Sequence, residues 1–257
     1  MSERVYDSSI VGTTPGVASP PSLRSNAHRF YLWASIAAFA VVFAGFARTY
    51  YLRTLFGTPA LPWLLHLHGA LMTSWFVLFV VQTRLVAARR IRVHRRLGVF
   101  GGVLVVLIVI VGVAVALRFG VEHAHRGRAL QFMGFVLFVL LVFAILVGTA
   151  LLLRRRPDYH KRLMLLSCLS LVGPGLTRLP FEHVRFAAFL KTGGPLGLFG
   201  LDLLLVYACV AYDTWRNHRL HPAFVCGTLL MTFVDLPFIS MFLSSPAWMR
   251  FASWLVS

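Results

Sequence analysis

The chain alternates long apolar blocks with short polar or basic breaks, and the blocks match the roughly 20 residues a helix needs to cross a bilayer. Seven segments qualify: Phe30–Phe46, Leu61–Ala87, Leu97–Leu117, Phe132–Leu153, Leu163–Phe181, Leu196–Trp215 and Ala223–Leu243. The fifth contains Gly173-Pro174-Gly175. A proline there removes one backbone hydrogen bond, so the expectation is a kinked span. The pattern predicts an all-α fold, a polytopic membrane bundle of about seven transmembrane helices over residues 29–245. Residues 1–28 carry Glu3 and Asp7, lack an apolar core and hold Thr-Thr-Pro-Gly and Ser-Pro-Pro-Ser. They read as a flexible tail rather than a signal peptide. Past Pro246, Trp248 and Trp254 predict a short interfacial segment over residues 246–257.

Composition agrees with the pattern. Hydrophobic residues make up 58% of the chain and charged residues 13%, with a mean hydropathy of +0.78. A soluble domain carries roughly 25% charged residues, so a water-facing globule is excluded. Cys168, Cys209 and Cys226 sit in apolar blocks without CxxC spacing. That argues against a disulfide framework, a zinc ribbon and covalently attached haem. No Gly-rich phosphate loop, GxSxG elbow or HExxH pair occurs.

The net charge of +17 would suit a nucleic-acid binder if it were clustered with aromatic residues. It is instead sorted by loop. With the N-terminus inside, sixteen of the 25 basic residues fall in inner segments and nine in outer ones. The densest runs, Ala88–Arg96 and Arg154–Arg162, share the inner side. Positive residues favour cytoplasmic loops, so the N-terminus is expected inside and the C-terminus outside. Anionic lipid headgroups, not nucleic acid, are the expected partners of those runs.

Ionisable groups inside a membrane are costly and therefore mark candidate sites. At about 1.5 Å per residue, His66 and His68 lie roughly 7–10 Å below the outer end of the second span, and Asp202 about 9 Å below that of the sixth. Arg178 is within roughly 5 Å of the outer end of the fifth, and Asp235 has climbed about 18 Å into the seventh. Arg178 with Asp202 reads as a buried ion pair or a proton site. His66, His68, Asp202 and Asp235 offer imidazole and carboxylate donors for zinc or iron, as a membrane hydrolase or lipid-modifying enzyme would need. Residues 66 and 68 leave a helix on opposite sides, so one face cannot offer both.

His68 heads a stripe with Met72, Trp75, Phe79 and Gln82, which reads as a cofactor slot or as an ordinary core face. His94 and His160 each open a span on the inner side. Bis-imidazole haem b needs one His from each of two facing helices at equal depth, and this pair meets that requirement on paper. The glycines after His94, Gly98 and Gly102, suit either helix packing or a flat macrocycle. His160 shares a helical stripe with Met164, Ser167 and, by phase, Arg178. A cofactor-free transporter or assembly partner is the third reading.

The ordered elements Leu65-His66-Leu67-His68-Gly69, Trp75, Gln82, His94-Arg95-Arg96-Leu97-Gly98 and His160-Lys161-Arg162-Leu163-Met164, followed by Arg178, carry a resemblance. Over residues 61–180 the chain resembles a bacterial family of uncharacterised multispan membrane proteins. Asp213 followed by His221-Pro222 looks like an extension shared by some of its members. The resemblance implies several membrane helices in the bacterial cytoplasmic (inner) membrane and supplies no activity. The His-Lys-x-x-Met-like element is also similar to one in small multispan proteins that help assemble haem-copper oxidases. Membrane zinc hydrolases related to adiponectin receptors carry paired His in the last span, where this chain has Asp235 and no His.

Overall fold

The computed structural model describes residues 21–125, 127–179, 195–235 and 237–257, and every regular element among them is helical. Helix α1 (Pro21–Phe46) runs into a π-helical turn at Ala47–Tyr51. It is followed by α2 (Trp63–Ala87), α3 (Ile91–His123), α4 (Gly127–Leu152), α5 (Pro157–Leu169) and α6 (Gly173–Leu176). The chain ends with α7 (Pro195–Asn217), α8 (Pro222–Asp235), α9 (Pro237–Leu243) and α10 (Pro246–Val256). Among the described residues, four helical stretches are long and apolar enough to cross a membrane: Arg29–Tyr51, Trp63–Ala87, Ile91–His123 and Arg128–Leu152.

Helix α5 sits at the centre, packed against α1, α4, α7 and α8. Its composition follows from that position, because Arg162, Leu163, Leu165, Leu166, Ser167, Cys168 and Leu169 are all buried. A helix buried all round has no lipid-facing stripe to advertise it. Helix α3 is the opposite case. It packs on α2 and α4 and leaves Val99, Phe100, Val103, Val106 and Ile110 exposed. A continuous apolar stripe of that extent is rare on a soluble monomer.

The main core stacks Trp75, Phe76 and Phe79 of α2 against Phe143 and Leu146 of α4, Leu165 and Leu166 of α5, and Phe224 of α8. A second cluster joins Ala116, Leu130 and Met133 to Ile239, Leu243, Trp248 and Ala252. It docks α10 across the ends of α3 and α4, where the Trp248 indole Nε1 donates to the Leu130 carbonyl at 3.2 Å. The Ser245 hydroxyl caps α10 by accepting from the Trp248 backbone amide.

Two expected boundaries move. Helix α1 begins at Pro21, inside the stretch read as tail; residues 1–20 of that stretch lie outside the described residues. The fifth segment is not one kinked helix. After Leu169 the backbone tightens, with Leu171 and Val172 amides donating three residues back, and it re-enters as α6 at Gly173-Pro174. Its end, from residue 180, lies outside the described residues. The seventh segment is helical in α8 up to Asp235 and in α9 from Pro237, with residue 236 outside the described residues.

The break after α5 permits a close backbone crossing. A Cβ on Gly45 of α1 would overlap the Gly175 carbonyl, and one on Gly175 would lie 2.9 Å from Val42 Cα. Only hydrogen fits on either side of that contact.

Candidate functional site

Three loops gather at one end of the bundle, which is its basic end. The turn from α2 to α3 is made by Arg89 in the left-handed region at φ 59°. The Arg90 amide reaches back to the Leu85 carbonyl and the Arg89 amide to that of Val86, a Schellman arrangement with arginine where glycine is usual. This tight reversal places His94 in the first turn of α3. The α4–α5 loop places His160 in the first turn of α5, after Pro157 at the helix start.

The two imidazoles face each other, with ring centres 6.3 Å apart and planes at 79°. His160 Nδ1 lies 2.8 Å from the Ala150 carbonyl, one of the carbonyls left over at the end of α4. A carbonyl only accepts, so Nδ1 carries the hydrogen of this bond. His94 Nδ1 is buried with no partner. Gln82 Nε2 donates to the His94 carbonyl at 3.3 Å, while its Oε1 is buried and unpartnered.

The stripe above Gln82 repeats this pattern. His68 Nδ1 and Trp75 Nε1 are also buried without partners, and Trp75 is 2% exposed with its ring edge-on to Phe143. Of six such atoms among the described residues, four belong to His68, Trp75, Gln82 and His94. The unmet polar capacity is therefore concentrated on one line along α2 and the start of α3. Beside that line, a Cβ on Gly98 would come no nearer than 3.8 Å to Gln82 Nε2, and one on Gly102 would meet nothing within 4 Å. The glycines do not serve close helix packing; Gly101, against Leu78, has that position.

The other expected groupings part company. His66 is exposed, with its carbonyl accepting from the Tyr50 hydroxyl at 3.1 Å. Asp202 is buried, accepts from the Leu203 amide at 3.1 Å, and lies against Gly173. The side chain of Asp235 lies outside the described residues. Among the described residues no three His, Cys, Asp or Glu side chains come together as a metal ion would need.

The Arg178–Asp202 pair is not formed. Arg178 donates to the Pro174 carbonyl at 2.7 Å and lies 4.5 Å over the Phe46 ring. The break at 170–172 shifts the helical phase, so Arg178 turns to α1 while Gly173 is what meets Asp202. The same break removes Arg178 from the stripe of His160, Met164 and Ser167.

The buried ion pair is elsewhere. Arg162 of α5 donates from Nε (2.9 Å) and one terminal nitrogen (2.7 Å) to Asp213 of α7. Its other terminal nitrogen donates to the Asp158 carbonyl, and Tyr31 of α1 donates to the second Asp213 oxygen at 3.3 Å. Three helices are thus tied by one charge pair. The sequence signal for it is an Arg and an Asp at equal depth inside two span ends.

Around this pair, Lys161 bonds Asp158 and holds its carboxyl below the usual carboxylate range. Burial, and then the Arg162 guanidinium, hold the His221 imidazole below its ordinary value. Both groups have folded values below their unfolded ones. Their contributions are therefore present above the unfolded values and lost as pH falls. Stability in detergent should decline below about pH 6.5 as the unfolded chain takes up the His221 proton, and again below about pH 4 through Asp158. Thermal midpoints of His221→Gln across that range should show a smaller first decline than the wild-type chain; an unchanged profile would contradict the assignment.

Comparison with protein-family models, curated proteins and solved structures finds no match to the chain, so its functional reading rests on the geometry of this end of the bundle.

Proposed function

We propose that the chain is a multi-pass membrane protein of about seven spans that holds a redox cofactor, haem b, between His94 and His160. The observation that carries this reading is the facing of the two imidazoles at 6.3 Å. A metal–imidazole bond of about 2.0–2.1 Å, plus about 1 Å from nitrogen to ring centre, gives about 6 Å, so His94 and His160 would both reach one iron held between them.

The donor set suits the group. Metal-ligating histidines usually donate their other ring N–H to a carbonyl or carboxylate, which fixes the tautomer. The Ala150 carbonyl does this for His160. Gln82 anchors the backbone of His94, and Gly98 and Gly102 keep the α3 face beside it free of side chains. Haem b supplies one-electron redox chemistry when bound. The protein's part is to hold the two imidazoles at equal depth and to leave His68, Trp75 and Gln82 as polar groups along the approach from the other end.

The span count and orientation belong to the same proposal. Helix α7 is 23 residues long, and α5 with α6, and α8 with α9, supply the helical segments for two further passes in this reading. The Arg-rich loops share one end, which the positive-inside rule assigns to the cytoplasm of a bacterial inner membrane. Trp63 and Trp215 are 71% and 74% exposed near opposite ends, as interfacial belts require.

Haem content of protein purified in detergent from haem-replete cells tests the ligand assignment. His94→Ala and His160→Ala should each lower bound haem at least tenfold, while His66→Ala keeps it. Equal haem in all three variants would contradict it.

A further inference from the structure

We infer that a cleft between α1 and α7 at the basic end binds the phosphate of an anionic phospholipid. The inference rests on the membrane reading proposed above and is independent of haem. The cleft, about 360 Å³, is lined by Arg29, Phe30, Trp33, Tyr212 and Arg216. The two helices are held together beside it by the stacked rings of Phe30 and Tyr212, centres 4.4 Å apart, and by the Tyr31–Asp213 hydrogen bond.

The order of residues along each wall matches a lipid. Helix α1 leaves the basic end, so Arg29 stands one turn, about 6 Å, nearer that end than Trp33. Helix α7 arrives at it, so Arg216 stands the same distance nearer than Tyr212. The walls therefore present two guanidinium groups on the headgroup side and aromatic faces on the acyl side. Arginine forks match phosphate oxygens, and aromatic rings favour the depth at which glycerol joins the chains. Among the described residues no acid lines the cleft, Arg216 also donates to the Tyr212 hydroxyl at 3.4 Å, and Asp213 is committed to Arg162. This site is separate from the basic runs 88–96 and 154–162; in the second, Lys161 lies over the Tyr31 ring and Arg162 over that of Phe224.

Native mass spectrometry of the full chain in detergent, titrated with phosphatidylglycerol, phosphatidylcholine or inorganic phosphate, tests the inference. Phosphatidylglycerol should be retained at least tenfold better than phosphatidylcholine, with one tightly held molecule lost in Arg29→Gln/Arg216→Gln. Trp33→Ala should weaken phosphatidylglycerol and leave phosphate unaffected. Equal retention of the two lipids by the wild-type chain overturns the inference, and that comparison needs no variant to fold. Inorganic phosphate binding as well as phosphatidylglycerol, with Trp33→Ala silent, also overturns it in favour of free phosphate. Carbonate extraction separates the two readings. A chain released without detergent loses the membrane reading, whereas one that stays bound without lipid selectivity loses only this inference.

Discussion

Asp213→Ala is expected to destabilise the folded protein by about 3–5 kcal/mol, the cost of stripping one partner from a buried ion pair. The carboxylate takes two hydrogen bonds from Arg162, and both side chains are almost wholly enclosed. Without it the guanidinium stays buried on α5 with only the Asp158 carbonyl and the solvent-exposed Asp158 carboxylate at 3.5 Å. Tyr31 loses its acceptor at the same time, so α1 is loosened as well as α7. The pair itself is worth much less than this penalty, because bringing both charges out of water offsets most of their attraction. Arg162→Met combined with Asp213→Leu should therefore recover most of the loss. Thermal midpoints in mixed micelles check both statements. A double variant no better than Asp213→Ala would contradict the ion-pair explanation.

Gly45→Ala is expected to cost about 1–3 kcal/mol by overpacking, although alanine is the better helix former. The obstacle is the carbonyl of Gly175, which is backbone and cannot rotate aside as a side chain would. Relief requires α6 to move off α1, and α6 is also packed on α7. Gly148→Ala in α4 supplies the contrast, since its new methyl group meets nothing within 4 Å. That variant should gain up to about 1 kcal/mol from helix propensity. Equal midpoints for the two variants would contradict the close crossing of α1 and α6.

These two sites mark where the sequence was readable and where it was not. The long lipid-type helices α2, α3 and α4 were legible because their apolar blocks are continuous and bounded by arginines. Helix α5 was only partly legible: a central helix shares its outside with four neighbours, so no stripe distinguishes its faces. The facing of His94 and His160 was readable as equal depth at two span starts. The Arg162–Asp213 pair satisfies the same criterion and went unread, because equal depth does not reveal which helices are neighbours. Arg178 was misplaced for a local reason. Its phase was carried through residues 170–172, where the helix stops, and three tightened residues turn a side chain from α7 to α1. The crossing of Gly45 and Gly175 was beyond sequence reading, since a small residue in an apolar block looks the same whether it meets backbone or lipid.

The central claim is that His94 and His160 hold haem b as a ligand pair. The reduced-minus-oxidised absorbance spectrum of the purified wild-type chain tests it most directly. The expected result is a Soret band with sharp α and β bands on reduction, unchanged by added carbon monoxide, since His94 and His160 would both hold the iron. A colourless chain, or one whose haem binds carbon monoxide readily, would contradict it.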